Sequence, residues 1–304
     1  MLSWFKKSKP TPAPEPVAPA AEPLPPPTPP AVSNAAVALV QRWDATIAEI
    51  RARLHDVLFE AVTASEPLVA TIRSDLAPLV LPWNTITPRV HALREELSSA
   101  WNAISDEMSA SGAFTHEALY AEGCKRDLAG CELELMHERA LGSVMARAAD
   151  RMLAAAVTTD AKVHACNQCG AALERVTPVS RSLNVTCAYC NSLNTVHPGD
   201  AMRMFAASGA IHLAADEARP SGDAMRRMET QLRQYRDKAA VPIALLIELE
   251  ATTHQYWSTR LAVEARYNPD DAPYVQPKLD RHMKDVLRTL RQYWQWRDYE
   301  TQRG

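Results

Sequence analysis

The sequence predicts a mainly α-helical protein, a long-helix bundle or a set of coiled-coil-like hairpins, with one small β module inserted between its helical halves. Three observations carry this expectation. Gly is scarce, at nine of 304 residues, whereas Ala, Leu, Glu and Arg dominate beyond the amino-terminal segment; these residues lose little on entering a helix. Apolar residues recur at alternating steps of four and three over long stretches. Residues 162–200 break that pattern, with short β-branched runs around two Cys-x-x-Cys pairs. An apolar fraction of 47% with a net charge of only −3 suits a chain that can bury a core. By composition the segments are 1–9, an aromatic and basic tip; 10–31, a linker; 32–161, a helical domain; 162–200, the β module; and 201–304, a second helical domain.

The tip places Trp4 and Phe5 beside Lys6 and Lys7. Such a segment can rest in a membrane interface, with rings at the headgroup boundary and lysines on anionic lipid; the plainer reading is an unstructured terminus. Residues 10–30 hold eleven of the 22 prolines and read as a semi-rigid, polyproline-like spacer. Tip and spacer together read as a tether.

From Ser33 or Asn34, both helix caps, Ala36, Val40, Trp43, Ile47, Ile50, Leu54, Val57 and Ala61 form a heptad seam, widened by Leu39, Leu58 and Val62. Glu66-Pro67 is the predicted stop. Pro67, Pro78, Pro82 and Pro88 mark residues 67–89 as a short helix and a loop. Val90, Leu93, Leu97, Trp101, Ile104 and Met108 predict a second long helix. Thr115 caps a third, running past Ala156 with Gly123, Gly130 and Gly142 as weak points. On it, Glu134 and His137 have the Glu-x-x-His spacing of a di-iron ligand pair, but the second such pair that site needs is missing. Cys124 and Cys131 read as small core residues.

Cys166-Asn167-Gln168-Cys169-Gly170 is followed by Cys187-Ala188-Tyr189-Cys190-Asn191. Two such pairs, about 15–20 residues apart, have the spacing of a structural zinc site. Each pair lets one tight turn aim two thiolates at a point, and two turns close a tetrahedron. Gly170 and Asn191, after the second and fourth cysteines, suit the positive φ of such a turn. Leu173 to Val176, Leu183 to Thr186 and Leu193 to Val196 read as short strands, ending at the His197-Pro198-Gly199-Asp200 turn. The arrangement resembles the zinc-ribbon, rubredoxin-like modules over roughly residues 164–200. The resemblance implies two knuckles joined by antiparallel strands around Zn2+, with Cys166, Cys169, Cys187 and Cys190 as ligands. Iron in the same cage is the alternative metal. A disulfide reading needs an oxidising compartment that nothing in the sequence marks. A redox Cys-x-x-Cys reading expects a single motif near a βαβ unit. His164 and His197 flank the cage as ribbon surface.

Beyond the ribbon, residues 201–218 and 222–239 read as two helices parted at Arg219-Pro220-Ser221-Gly222. Pro242 opens a helix to about Arg266, and a final helix covers 276–302. The last buries Leu279, Met283, Val286, Leu290 and Tyr293 or Trp294. Beside that face Arg281, Lys284, Arg288 and Arg291 share about 80° of arc. With Trp296 and Tyr299 off the apolar face, this basic stripe is the nucleic-acid or anionic-partner candidate, against the plainer reading of a solvated face.

Residues 32–160 carry eleven basic and eighteen acidic side chains, a balance of −7, and residues 201–304 carry sixteen and fourteen, a balance of +2. Neither half has the basic excess of a duplex-DNA binder. The sequence contains no Gly-rich phosphate loop, no Gly-x-Ser-x-Gly elbow and no His-Glu-x-x-His. No secretory signal or apolar run of membrane-spanning length is evident, so the expected compartment is the cytoplasm, with the inner membrane face as a peripheral site. The functional expectation is a non-enzymatic adaptor holding a protein partner, or a second copy of itself. The rival is a nucleic-acid-binding regulator using ribbon and basic stripe.

Overall fold

A computed structural model of the chain describes residues 34–160, 164–173 and 182–303. The chain is mainly α-helical with one two-stranded antiparallel sheet among the described residues. Helices α1 (Asn34–Thr71), α2 (Ala77–Ala110) and α3 (His116–Asp160) form the first layer. Ion pairs fix their directions. Arg53 meets Glu96 and Arg42 meets Glu107, so α1 and α2 run antiparallel. Lys125 meets Asp44 and Arg147 meets Glu66, so α3 runs parallel to α1.

Along α1 the buried line is Trp43, Ile50, Leu54, Leu58, Ala61, Ser65 and Val69. It starts on the expected seam and passes to Leu58, while Val57 is only half-buried. A straight helix drifts about 20° per heptad from a 3.5-residue repeat, so without supercoiling the core moves to the next residue. The expected core of α2 is buried throughout, from Val90 to Met108.

The prolines behave differently from their sequence reading. Pro67 lies inside α1, and Pro82 and Pro88 lie inside α2. Helix breaks instead only at 72–76, where the Asp75 carboxylate accepts from the Ala77 N–H at 2.9 Å. An interior proline costs about 3 kcal/mol. Full burial of one large apolar side chain returns about 1.5–3 kcal/mol, and Val69, Ile72, Leu79 and Trp83 are all buried across this stretch. Tertiary burial therefore outweighs the local penalty. Thr115 does cap α3, accepting from the Ala118 N–H at 3.2 Å, and the three flagged glycines leave α3 unbroken.

Strands β1 (Leu183–Thr186) and β2 (Leu193–Val196) pair antiparallel, Leu183 opposite Val196 and Thr186 opposite Leu193. Of the third expected strand, Leu173 lies beside an Ala165–Ala172 bridge, and residues 174–176 lie outside the described residues.

The chain then re-enters helix at α4 (Asp200–Met204), passes through a π-turn at Phe205–Gly209, and continues as α5 (Ala210–Arg233). The wider π-turn is where the Phe205 ring, fully buried, meets Tyr267 edge-on at 5.1 Å. The predicted break at 219–222 is absent, and α5 runs through Pro220. Its register there is set by α6 (Ile243–Tyr267): a Cβ on Gly222 would lie 2.9 Å from the Tyr256 ring. Glycine lets the two helices approach.

The final helix is two. α7 (Val275–Leu290) ends in a turn, and α8 (Trp294–Arg303) restarts beyond it. The turn redirects the chain, so Trp296, expected off the apolar face, is 1% exposed. It packs with Tyr293, Leu290, Leu246 and Leu249 in a second core, separate from that of α1–α3. The two bodies meet along α3 and α5 through Glu132–Arg227, Glu138–Arg226 and Arg139–Asp223. Two of these pairs set an α3 carboxylate on an α5 arginine, and the third runs the other way.

Candidate metal centre

The two knuckles repeat one backbone pattern. The Gly170 N–H donates to the Cys166 carbonyl at 2.9 Å, and the Cys166 N–H to Ala171 at 2.7 Å. Twenty-one positions later the Asn191 N–H donates to Cys187 and the Cys187 N–H to Ser192, both at 2.9 Å. Gly170 has φ 73° and Asn191 φ 56°, the latter unique among described non-glycine residues. The left-handed turns expected from sequence are therefore present at both places.

These turns bring Cys166, Cys169, Cys187 and Cys190 together, with all four sulfurs within 4.8 Å of one another. Cys166 and Cys190 Sγ are 3.5 Å apart, Cys169 and Cys187 Sγ 3.7 Å. A tetrahedron of sulfurs about 2.3 Å from a metal has edges of about 3.8 Å, so the spacing fits one metal ion. It does not fit a disulfide, whose bond is about 2.05 Å, and the cysteines are free. Cys187 and Cys166 are buried, Cys190 is half-buried and Cys169 exposed.

The electrostatics also favour a cation. The Ser192 hydroxyl, with the backbone N–H groups of Cys169 and Gln168, holds the Cys166 thiol down at about 5. The Ala171 N–H favours the Cys169 thiolate as well, but Cys190, burial, Cys166 and Cys187 outweigh it and push that thiol up to about 12. Thiols this close cannot all ionise by themselves. A divalent ion would hold all four as thiolates, and its binding would release protons.

Ser192 and Asn194 were not singled out by motif. Ser192 Oγ lies 3.0 Å from Cys166 Sγ and 3.1 Å from Cys190 Sγ, one sulfur of each knuckle. Asn194, 3% exposed, reaches Cys166 Sγ with its Nδ2 at 3.5 Å. The signal lay in the repeat itself: the matching positions of the first knuckle are the apolar Ala171 and Leu173. His197 bonds to Ser182 and stands apart from the sulfur cluster, as does His164. The β module has its own small core, Cys166, Leu173, Cys187 and Val196, drawing no residue from the helices.

The other sequence candidates are dispersed. Arg281 and Lys284 are exposed on α7. Arg288 pairs with Asp285 at 3.1 Å, and Arg291 with Glu300 at 2.6 Å across the α7–α8 turn. Trp257, near the stripe, is covered by His282, stacked at 3.5 Å. Trp4, Phe5, Lys6 and Lys7 lie outside the described residues. Glu134 is held by Arg94 at 2.6 Å, and His137 packs 6.0 Å from Trp83. Cys131 is buried and Cys124 half-buried. Among the described residues no helix is long and apolar enough to cross a membrane.

The chain matches no family model, no curated protein and no solved structure.

Proposed function

We propose that this protein is a non-enzymatic adaptor or scaffold in which a structural zinc ribbon, carried on a helical body, holds a protein partner. The observation carrying the reading is the closure of four sulfurs on one point inside a module with its own core. A four-thiolate ion has no open position for water or substrate, so its role is structural. A core of so few side chains is too small to fold the module alone, and metal binding supplies on the order of 10 kcal/mol or more. Tyr189, 80% exposed on the second knuckle, and Leu193, 68% exposed on β2, give the ribbon an apolar outer surface for a partner. Tyrosine is a frequent anchor in such contacts. In this reading the amino-terminal tip and spacer tether the adaptor in the cytoplasm, at the inner membrane face where the tip meets lipid.

Metal content of the purified full-length protein and capture of partners from the native cell test the proposal together. One bound zinc per chain is expected. Capture is expected to be lost both in Cys187→Ser and in a Tyr189→Ser, Leu193→Ser double variant that still holds zinc. A metal-free wild type, or capture indifferent to both changes, would overturn it. Saturable nucleic-acid binding that weakens steeply with salt, and disappears in Arg281→Ala, Lys284→Ala, would replace it with the regulator reading.

A further inference from the structure

The two knuckles are built alike but joined by two residues whose counterparts in the first knuckle are apolar, Ser192 and Asn194. Asn194 on β2 is buried, although its counterpart in the first knuckle is the apolar Leu173. A buried amide must find partners or lose about 1–3 kcal/mol, and Asn194 finds them in both knuckles. Its Oδ1 accepts from the Asn167 N–H at 2.9 Å, inside the first Cys-x-x-Cys turn. Its Nδ2 lies 3.0 Å from the Ser192 carbonyl oxygen, in the second, and 3.5 Å from Cys166 Sγ. Nδ2 also lies 3.3 Å from Ser192 Oγ, the hydroxyl that contacts a sulfur of each knuckle.

We propose that Asn194, which is not a ligand, is the positioning residue that ties the two knuckles into a single cage for one metal ion. The inference rests on the metal reading above and adds what holds the halves in register. Each knuckle is fixed internally by its own backbone bonds. Those bonds set the direction of two thiolates, but not the distance between pairs. The β1–β2 ladder closes the second knuckle on itself and the Ala165–Ala172 bridge closes the first, so the distance between pairs is bridged beside the sulfurs, by the Asn194 amide on Asn167 and by the Ser192 hydroxyl on Cys166. The bond to Cys166 Sγ also places a donor on a thiolate, which spreads its charge and orients its lone pairs. Partners of this kind commonly govern metal affinity by about 10- to 100-fold.

The test uses the full-length protein with Asn194→Leu, which fills the site as Leu173 fills its own, and Asn194→Ala, which removes the amide without filling it. Val196→Ala is the control, since it thins the same core without touching the bridge. Three readouts apply: zinc affinity by chelator competition, the absorption spectrum of the cobalt-substituted site, and amide exchange at Asn167 in the metal-loaded state. Both Asn194 variants are expected to lose about 10- to 100-fold in zinc affinity, to shift the cobalt–thiolate bands and to expose the Asn167 amide. Val196→Ala is expected to leave the bands and that amide unchanged. Wild-type affinity with a protected Asn167 amide in either Asn194 variant would overturn the assignment alone. A wild type that binds neither zinc nor cobalt would overturn the metal reading and this assignment with it.

Discussion

Gly170 and Asn191 stand at the same place in their two knuckles, each one residue past a Cys-x-x-Cys pair, and both adopt left-handed backbone at φ 73° and 56°. The pairing is unequal in cost. Glycine has no Cβ to clash there, whereas an L side chain in this region is disfavoured by about 1–2 kcal/mol, least for asparagine. The second knuckle therefore holds residual strain that the first lacks.

Two opposite changes should expose that difference. Gly170→Val should weaken metal binding, read with zinc as the probe, because a β-branched residue resists the turn that aims Cys166 and Cys169. Asn191→Gly should keep or improve it. Chelator competition on the two variants measures the effect, with a loss of about tenfold in the first case from about 1–2 kcal/mol of backbone strain. Equal affinity in both would show that φ at these places does not limit the cage.

Within the helical body one polar pair is sealed between α1 and α2. The Trp83 indole N–H donates to the Ser65 hydroxyl at 3.1 Å, and that hydroxyl donates to the Ala61 carbonyl at 2.8 Å. Both residues are 2% exposed. Ser65→Ala removes the acceptor and strands the indole N–H, which should cost about 1–3 kcal/mol. Urea unfolding followed by far-ultraviolet circular dichroism reads the loss. Trp83→Phe in the same background should recover part of it, since no donor then remains unpaired.

Acid should loosen the body before it protonates the carboxylates. Burial pushes the His137 imidazole below its ordinary value, with His91 acting in the same direction. Burial does the same at His212, with Arg260 beside it. Above about pH 6.5 these groups are neutral in folded and unfolded chains alike. Below it the unfolded chain takes up protons that the folded chain resists, so stability falls with pH. Arg227 holds the Glu132 carboxyl below its ordinary range, and that loss comes at lower pH still. Urea midpoints should therefore drop between about pH 7.5 and about pH 5.5, and His137→Asn should shrink the difference. An unchanged drop in that variant would remove His137 as a cause.

How far the sequence spoke varied with the range of the forces involved. The cysteine spacing, the left-handed turns at Gly170 and Asn191, strands β1 and β2, the Thr115 cap and the buried line of α2 were legible because each is decided within a few neighbouring residues. Pro67, Pro82, Pro88 and Pro220 read as breaks because their local penalty is written in the sequence, yet all four lie inside helices, because the burial that offsets it comes from residues packed across the fold. On a continuous helix over 276–302 Trp296 lies off the apolar face, and the turn after Leu290 instead swings it into the second core. Asn194 carries no motif. Its place between the knuckles exists only once two turns, twenty-one residues apart and alike in backbone, have folded against each other and left one buried amide to join them.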